Sequence, residues 1–356
     1  MRVLLNGSSL VYPISGVGQY TLQLGKALQH LLGPGNIVWF GKDPFTLAYD
    51  LWDDSSAGSV RRLQHGLKEQ LRRIPNLNLW VHRWRNFRFA SFVRRIKPSL
   101  YHETRYALFD FDEGPVVTSI YDLSFVRHPE WHPRDRVTYF ENYCVKQLQR
   151  VDAIITVSEF SRREIVDLLG IDPARIHVTF PGVDGSFAPQ GDRMKELPSS
   201  YVLYVGNLEP RKNLPLLLQA HQSLPSFLRK NHPLVVAGAK VWRTREMEAL
   251  LKPFQRDAHI LFTGYIPQGQ LPRLYRGACL FAYPSAYEGF GLPVLEAMAS
   301  GVPAVVANTS SLPEVVADCG ILVNPYNVDH LKEAMRELME DERKREENRP
   351  RLLSRL

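Results

Sequence analysis

Long apolar runs are missing from this 356-residue chain, and cysteine is scarce. No stretch of about 18 apolar residues occurs, which argues against a membrane-spanning helix. The N-terminus, MRVLLNGSS, passes straight into polar residues and offers no secretory core. Cys144, Cys279 and Cys319 are odd in number, far apart and without metal-ligand spacing. They argue against a disulfide framework or a zinc centre and suit a reducing compartment. The expected location is the cytoplasm, at most peripheral on a membrane. A complete dinucleotide fingerprint is also lacking: Gly16-Val17-Gly18 opens a helix, but Thr21 stands where a third glycine would be. A flexible loop with a glycine helix start, or a loop closing over phosphate or acceptor, both remain open. Asp110-Phe111-Asp112 has the DxD pattern that can hold a divalent metal, yet it runs into the turn Glu113-Gly114-Pro115. It reads as solvated loop acids, so neither a metal nor a cofactor is expected.

What the chain does have is uneven charge. The formal net charge is +7, but residues 61 to 97 hold eleven Lys or Arg against one acid, Glu69. That segment carries 11 − 1 = +10, so the remainder sums to −3. Over residues 60 to 75, Val60, Leu63, Leu67, Leu71 and Ile74 recur at helical spacing, followed by an interleaved run with Trp80, Arg83, Trp84, Arg85, Phe87, Arg88 and Phe89. An amphipathic basic segment with aromatics can lie on an anionic membrane surface. A solvated helix face over buried aromatics is the other reading. No nucleic-acid-binding motif accompanies the charge, so nucleic acid is not an expected partner.

Short apolar runs alternate with helical stretches from end to end, the pattern of an α/β protein with parallel sheets. Strands are expected at Arg2-Asn6, Asn36-Phe40, Ser99-His102, Val116-Tyr121, Asp152-Val157 and Ile176-Phe180. A second set falls at Tyr201-Val205, Leu234-Ala237, His259-Phe262, Cys279-Tyr283, Val302-Ala307 and Gly320-Val323. Two such sets, in a chain too long for one ordinary core, argue for two doubly wound domains, 1–184 and 185–356. A ligand is then expected at the carboxyl ends of the strands, in the cleft where the two sheets face each other.

The most informative stretch is YPSAYEGFGLPVLEAMASG, residues 283 to 301. An apolar strand stops there and a helix begins, with Pro293 at an expected first helical position. Glu288 precedes Gly289-Phe290-Gly291, and Glu296 follows about one turn into the helix. Glycines let a backbone approach a ligand closely, and exposed N–H groups at a helix start favour an anion. The implied ligand has phosphate at one end and hydroxyls at the other, as a sugar nucleotide does. Arg211 and Lys212, after the strand Tyr201-Val205, can neutralise a pyrophosphate, with Asn213 as the expected helix N-cap. In the first half, Tyr121, Asp122 and His102-Glu103 stand at strand ends, either meeting a ligand or fixing loops. His128 and His132 read as structural.

Together these segments resemble the retaining glycosyltransferases of family 4, which have the GT-B fold. The resemblance rests on VGNLEPRKNL (205–214), PSAYEGFGLPVLEAMASGVPAV (284–305), SSLPEV (310–315), VSEFSRREI (157–165) and SGVGQY (15–20), and covers the chain to about residue 340. Its most specific element is the E-x7-E pair Glu288 and Glu296. Other phrases, such as YHET, look like bacterial transferases that build surface polysaccharides, many of them mannosyltransferases. The resemblance implies transfer of a hexose, with mannose from GDP-mannose as best guess, to a saccharide or lipid-linked saccharide without a metal. It places Glu288 at the sugar hydroxyls, Glu296 at the ribose and Arg211 and Lys212 at the diphosphate. Gly289, Phe290, Gly291 and Leu292 would bind the donor, GDP- or UDP-linked. Gly16, Gly18, Tyr121, Asp122 and His102 would lie around the acceptor and reaction centre, although members often carry His where this chain has Tyr121. A second departure is the end, DERKREENRPRLLSRL, which suggests a shortened crossover tail. A silent sugar-nucleotide-binding subunit and a nucleotide-sugar epimerase are the alternatives.

Overall fold

A computed structural model describes residues 1–10, 15–41, 77–238 and 249–345, with the side chains of the helix at 77–96 described from Arg83 onward. Twelve strands form two six-stranded sheets in which every neighbouring pair is parallel. The first sheet contains β1 (Val3–Asn6), β2 (Ile37–Phe40), β3 (Leu100–Glu103), β4 (Val116–Ile120), β5 (Ala153–Thr156) and β6 (Ile176–Val178). The second contains β7 (Tyr201–Val205), β8 (Leu234–Ala237), β9 (Ile260–Gly264), β10 (Ala278–Tyr283), β11 (Ala304–Ala307) and β12 (Gly320–Val323). Each lies within two residues of the strand expected from its apolar run. Continuous apolar runs become parallel strands because helical crossovers cover both faces of such sheets. Thus β1, β7, β8 and β11 are almost wholly buried.

Strand order fixes where ligands can bind. The first sheet runs β2-β1-β3-β4-β5-β6, so the winding reverses between β1 and β3. In the second, β12-β11-β10-β7-β8-β9, it reverses between β7 and β10. Crossover helices on either side of such a reversal leave opposite faces, opening a crevice beyond the carboxyl ends of the two strands. The chain divides into one compact unit of Met1–Val157 with Ser161–Thr179, and another of Ser158–Phe160 with Phe180–Leu356.

Two helices pack closely on the first sheet. The helix Gly16–Leu32 crosses the first sheet so closely that a Cβ on Gly25 would stand 2.3 Å from the Trp39 ring. The helix Leu77–Ile96 buries Phe89 and Val93 against Tyr101 and Phe109. Its other side exposes Trp84 at 58% and Phe87 at 69%. The interleaved aromatics therefore split between core and surface. The expected helix at residues 60–75 and the side chain of Trp80 lie outside the described residues. Among the described residues, no helix is long and apolar enough to cross a membrane.

Candidate active site

The second unit's crevice is built from the segments leaving β7 and β10. After β7 the chain makes a short helical turn, Pro210–Lys212, and enters the helix Leu214–Gln222 through Asn213. Asn213 occupies the N-cap position, but its side chain caps nothing in the helix. Its left-handed backbone, φ 54°, turns the amide away. There Nδ2 donates to the carbonyls of Pro284 and Pro325, at 3.2 and 2.6 Å. Ala286 N and Ser285 Oγ both donate to Arg211 O, at 2.8 and 3.1 Å. These bonds hold the β7 segment against the β10 segment.

This stitching brings Glu288 among cations. Lys212 Nζ donates to Glu288 Oε1 at 2.6 Å and to the Tyr283 hydroxyl at 2.7 Å. Ser285 Oγ donates to the same Oε1 at 2.7 Å, and Arg211 Nη1 lies 3.5 Å from Oε2. Arg211 Nε in turn donates to Glu209 Oε2 at 2.9 Å. Glu288 is 5% exposed and Lys212 8%. Burial opposes ionisation of both. In Glu288 the adjacent Lys212 and Arg211 overcome it and bring the carboxyl below its ordinary pKa. In Lys212 desolvation outweighs the pull of Glu288, so the amine is lowered as well. The formal charges of Glu209, Arg211, Lys212 and Glu288 cancel, leaving a desolvated, polarised cluster at the winding reversal.

The glycine turn is pinned from three sides. Glu288 N donates to Ser310 Oγ at 3.0 Å, and Ser311 Oγ lies within hydrogen-bond reach of the carbonyls of Glu288 and Phe290, at 2.9 and 2.8 Å. Ser158 Oγ donates to Gly289 O at 2.6 Å. Gly291 then turns with φ 109°, and a Cβ there would stand 2.7 Å from Leu312 Cδ2. That turn opens the helix Leu292–Ala299, in which Pro293 is the second residue and not the first. Glu296, in this helix, shares no partner with Glu288. It accepts from the Tyr275 hydroxyl at 2.9 Å, and burial raises its pKa to about 7. The two carboxylates of the E-x7-E pair thus have opposite electrostatic settings. Sequence reasoning missed Glu209, Tyr283, Ser285 and Ser158 as parts of this site, and gave Ser310 and Ser311 no role. Their types are common, and nothing in their spacing marks them.

In the first unit, His102 and Tyr121 come together at the ends of β3 and β4. His102 is 4% exposed, and its Nε2 lies 2.9 Å from Ser119 Oγ. Burial lowers its pKa to about 4, so the ring is neutral at pH 7. The Tyr121 hydroxyl donates to Thr104 O at 2.7 Å, and its ring meets Tyr20 edge to face at 5.1 Å. Asp122 Oδ1 accepts from Ser124 N and Oγ, so part of its function is fixing the turn. Gly16 and Gly18 open the helix Gly16–Leu32, capped by Ser15 Oγ accepting from Gly18 N at 3.3 Å. Glu103, fully buried, accepts from Asn6 Nδ2, the Tyr101 hydroxyl and Arg105 N at 2.6, 2.5 and 3.0 Å. His128 stacks on Trp131 and His132 on Phe125. Asp110 of the DxD pattern is tied to Asn86. Among the described residues, no group of three His, Cys, Asp or Glu side chains could hold a metal ion.

Comparison with known proteins places this geometry. Residues 14–187 match the description "Glycosyltransferase Family 4" and residues 192–351 match "Glycosyl transferases group 1". The O-antigen chain mannosyltransferase B of Escherichia coli is 35% identical over 357 residues, 97% of this chain and 92% of that protein. The chain belongs to glycosyltransferase family 4. It is a glycosyltransferase, and its two Rossmann-like sheets form the GT-B fold. Sucrose-phosphate synthase from Thermosynechococcus elongatus superposes with a TM-score of 0.72 at 19% identity, over 99% of this chain and 94% of that one. The Anabaena protein HepE, in complex with UDP-glucose, also superposes with a TM-score of 0.72, at 16% identity over the same shares.

Proposed function

We propose that this glycosyltransferase moves mannose from GDP-mannose to a saccharide or lipid-linked saccharide, with retention at the anomeric carbon and without a metal. The observation that carries the reading is the Arg211–Lys212–Glu288 cluster at the β7–β10 winding reversal, with Lys212 and Glu288 buried and Arg211 half-buried. Departure of a nucleoside diphosphate leaves charge on its phosphate oxygens. Arg211, Lys212 and the helix start at Leu292 are the groups able to receive it, each such donor contributing about 3 kcal/mol. In this role they replace a metal. Glu288 turns from its cations to the sugar hydroxyls when phosphate takes the carboxylate's place beside them. Its task is positioning, because attack by the acceptor on the face the diphosphate leaves needs no covalent intermediate on the enzyme. The acceptor attacks on the face the diphosphate leaves, with that phosphate as its base, and Glu296 takes the ribose. The mannose assignment is supported by the name of the Escherichia coli relative.

Calorimetry of GDP and UDP binding tests the diphosphate role: an Arg211→Ala, Lys212→Ala double variant should lose at least tenfold in affinity, about 1.4 kcal/mol. Unchanged affinity rules these residues out. Thermal stabilisation by GDP-mannose against other GDP- and UDP-sugars tests the donor, because a tight ligand raises apparent stability by mass action. Full turnover in excess EDTA is the expected result for metal independence.

A membrane surface as partner is supported by the helix Leu77–Ile96, where Trp84 and Phe87 project with Arg83, Arg88, Arg94 and Arg95. Each basic residue near anionic lipid contributes about 1 kcal/mol. Liposome flotation should show binding that weakens with salt and with Trp84→Ser and Phe87→Ser. Salt-insensitive or absent binding returns this helix face to simple solvation. Peripheral placement on the cytoplasmic face follows only from the first result.

A further inference from the structure

The winding reversal of the first unit lies between β1 and β3, and its polar side chains are unequally placed to meet a ligand. His102 is buried behind Ser119. Tyr121 has committed its hydroxyl proton to Thr104 O. Glu103 is closed in by Asn6, Tyr101 and the backbone of Arg105. Tyr20 differs. It lies four residues beyond Gly16, hence on the same side of the helix Gly16–Leu32. Beside Gly16, no heavy atom of the described residues lies within 4 Å of where its Cβ would be.

Behind Tyr20 stands a relay. Ser119 Oγ donates to the Tyr20 hydroxyl at 3.4 Å, and the same Oγ lies 2.9 Å from His102 Nε2. A serine hydroxyl has one proton. With that proton directed at Tyr20, His102 must present Nε2–H to Ser119. The Tyr121 ring, edge to face at 5.1 Å, fixes the Tyr20 ring from the side. We propose that Tyr20 is an acceptor-binding residue of this glycosyltransferase, positioned by Ser119 and His102, and that its hydroxyl orients the attacking hydroxyl of a saccharide. The proposal rests on the reading that the first unit takes the acceptor, and it assigns the contact to a side chain that the glycine loop alone does not provide. Burial raises the Tyr20 pKa against the opposing hydrogen bonds of Ser119 and Thr179, so the phenol keeps its proton at neutral pH. The neutral His102 makes the relay a matter of orientation and not of charge.

The test is steady-state kinetics with GDP-mannose and a fluorescently tagged mannobiose, free or polyprenyl diphosphate-linked, whichever saturates the wild-type chain. Tyr20→Phe should raise the acceptor KM about five- to tenfold, the range for one hydrogen bond. Nucleotide affinity by calorimetry and the thermal midpoint should stay at wild-type values. Ser119→Ala should give a smaller rise, and the double variant should be no worse than Tyr20→Phe alone, because the relay acts through Tyr20. An unchanged acceptor KM, or nucleotide affinity falling in step with it, overturns the proposal; additive losses overturn the relay. Gly16→Val separates the broader reading. If it too leaves the acceptor KM unchanged, or if no tagged saccharide saturates the wild-type chain, the acceptor assignment of the first unit fails. If it raises the acceptor KM while Tyr20→Phe is inert, only the role of Tyr20 fails.

Discussion

Glu288→Ala is the sharpest perturbation available. From the sequence it reads as a lesion of transfer with the fold left intact. The packing adds a second consequence. Removing the carboxylate strands the Lys212 amine, 8% exposed and 2.6 Å from the lost oxygen, with only the Tyr283 hydroxyl as its hydrogen-bond partner and Arg211 as a neighbouring like charge. Breaking a buried ion pair from one side costs about 3–5 kcal/mol. The cost has a ceiling, because Lys212 can lose its proton. Its pKa is already below 10.5 and falls further without Glu288. The unfolded chain then binds more protons than the folded one between that lowered pKa and 10.5, so stability rises with pH in this window. The variant's deficit should be about 3–5 kcal/mol at neutral pH and shrink as the pH approaches 10.5. Urea unfolding followed by circular dichroism at both ends of this range measures it. Adding Lys212→Met should recover most of the loss, since both ends of the pair are then gone. A single variant within about 1 kcal/mol of wild type, or a double variant less stable than the single, refutes the electrostatic account of the cluster. Transfer should be abolished in both.

Gly291→Ala should destabilise the second unit by about 1–3 kcal/mol, because φ is 109° and the new Cβ meets Leu312; a denaturation midpoint measures this. Asn213→Ala should cost about 2 kcal/mol or more through two lost hydrogen bonds and left-handed strain, whereas Asn213→Gly should cost less because glycine accepts the same backbone. Glu103 is raised from 4.5 to about 7 by burial, so the fold keeps a proton that the unfolded chain releases. Its contribution is complete below pH 4.5 and is lost as pH rises toward 7, about 3 kcal/mol in all; Glu103→Gln should flatten that loss. His221 is lowered from 6.5 to about 4 by burial, so stability is instead lost as pH falls through that window, by a similar amount, and His221→Gln should remove this acid sensitivity in urea titrations.

The strands were legible because parallel sheets covered on both sides require uninterrupted apolar runs, and such runs stand out in a sequence whatever the topology. The Glu288–Gly291 turn was legible for a local reason: glycine, proline and carboxylate within a few residues state their backbone requirements directly. The partners of Glu288 were not. Lys212 lies 76 positions away and meets it because β7 and β10 are neighbours, whereas Ser310 and Ser311 reach it from the other side because β10 and β11 are. No propensity encodes that adjacency. Asn213 shows the same division at one residue. Its type and place before a helix predict an N-cap, yet tertiary contacts with Pro284 and Pro325 win its side chain and leave the backbone in a left-handed turn. Two carbonyls satisfied by one amide outweigh a single capping bond. At this site the sequence therefore shows which groups can act on a sugar nucleotide, whereas the sheet order decides which are held at rest by one another. In the proposed mechanism these resting pairs matter, since a diphosphate would have to compete with Glu288 for Lys212 before Glu288 could turn to the sugar.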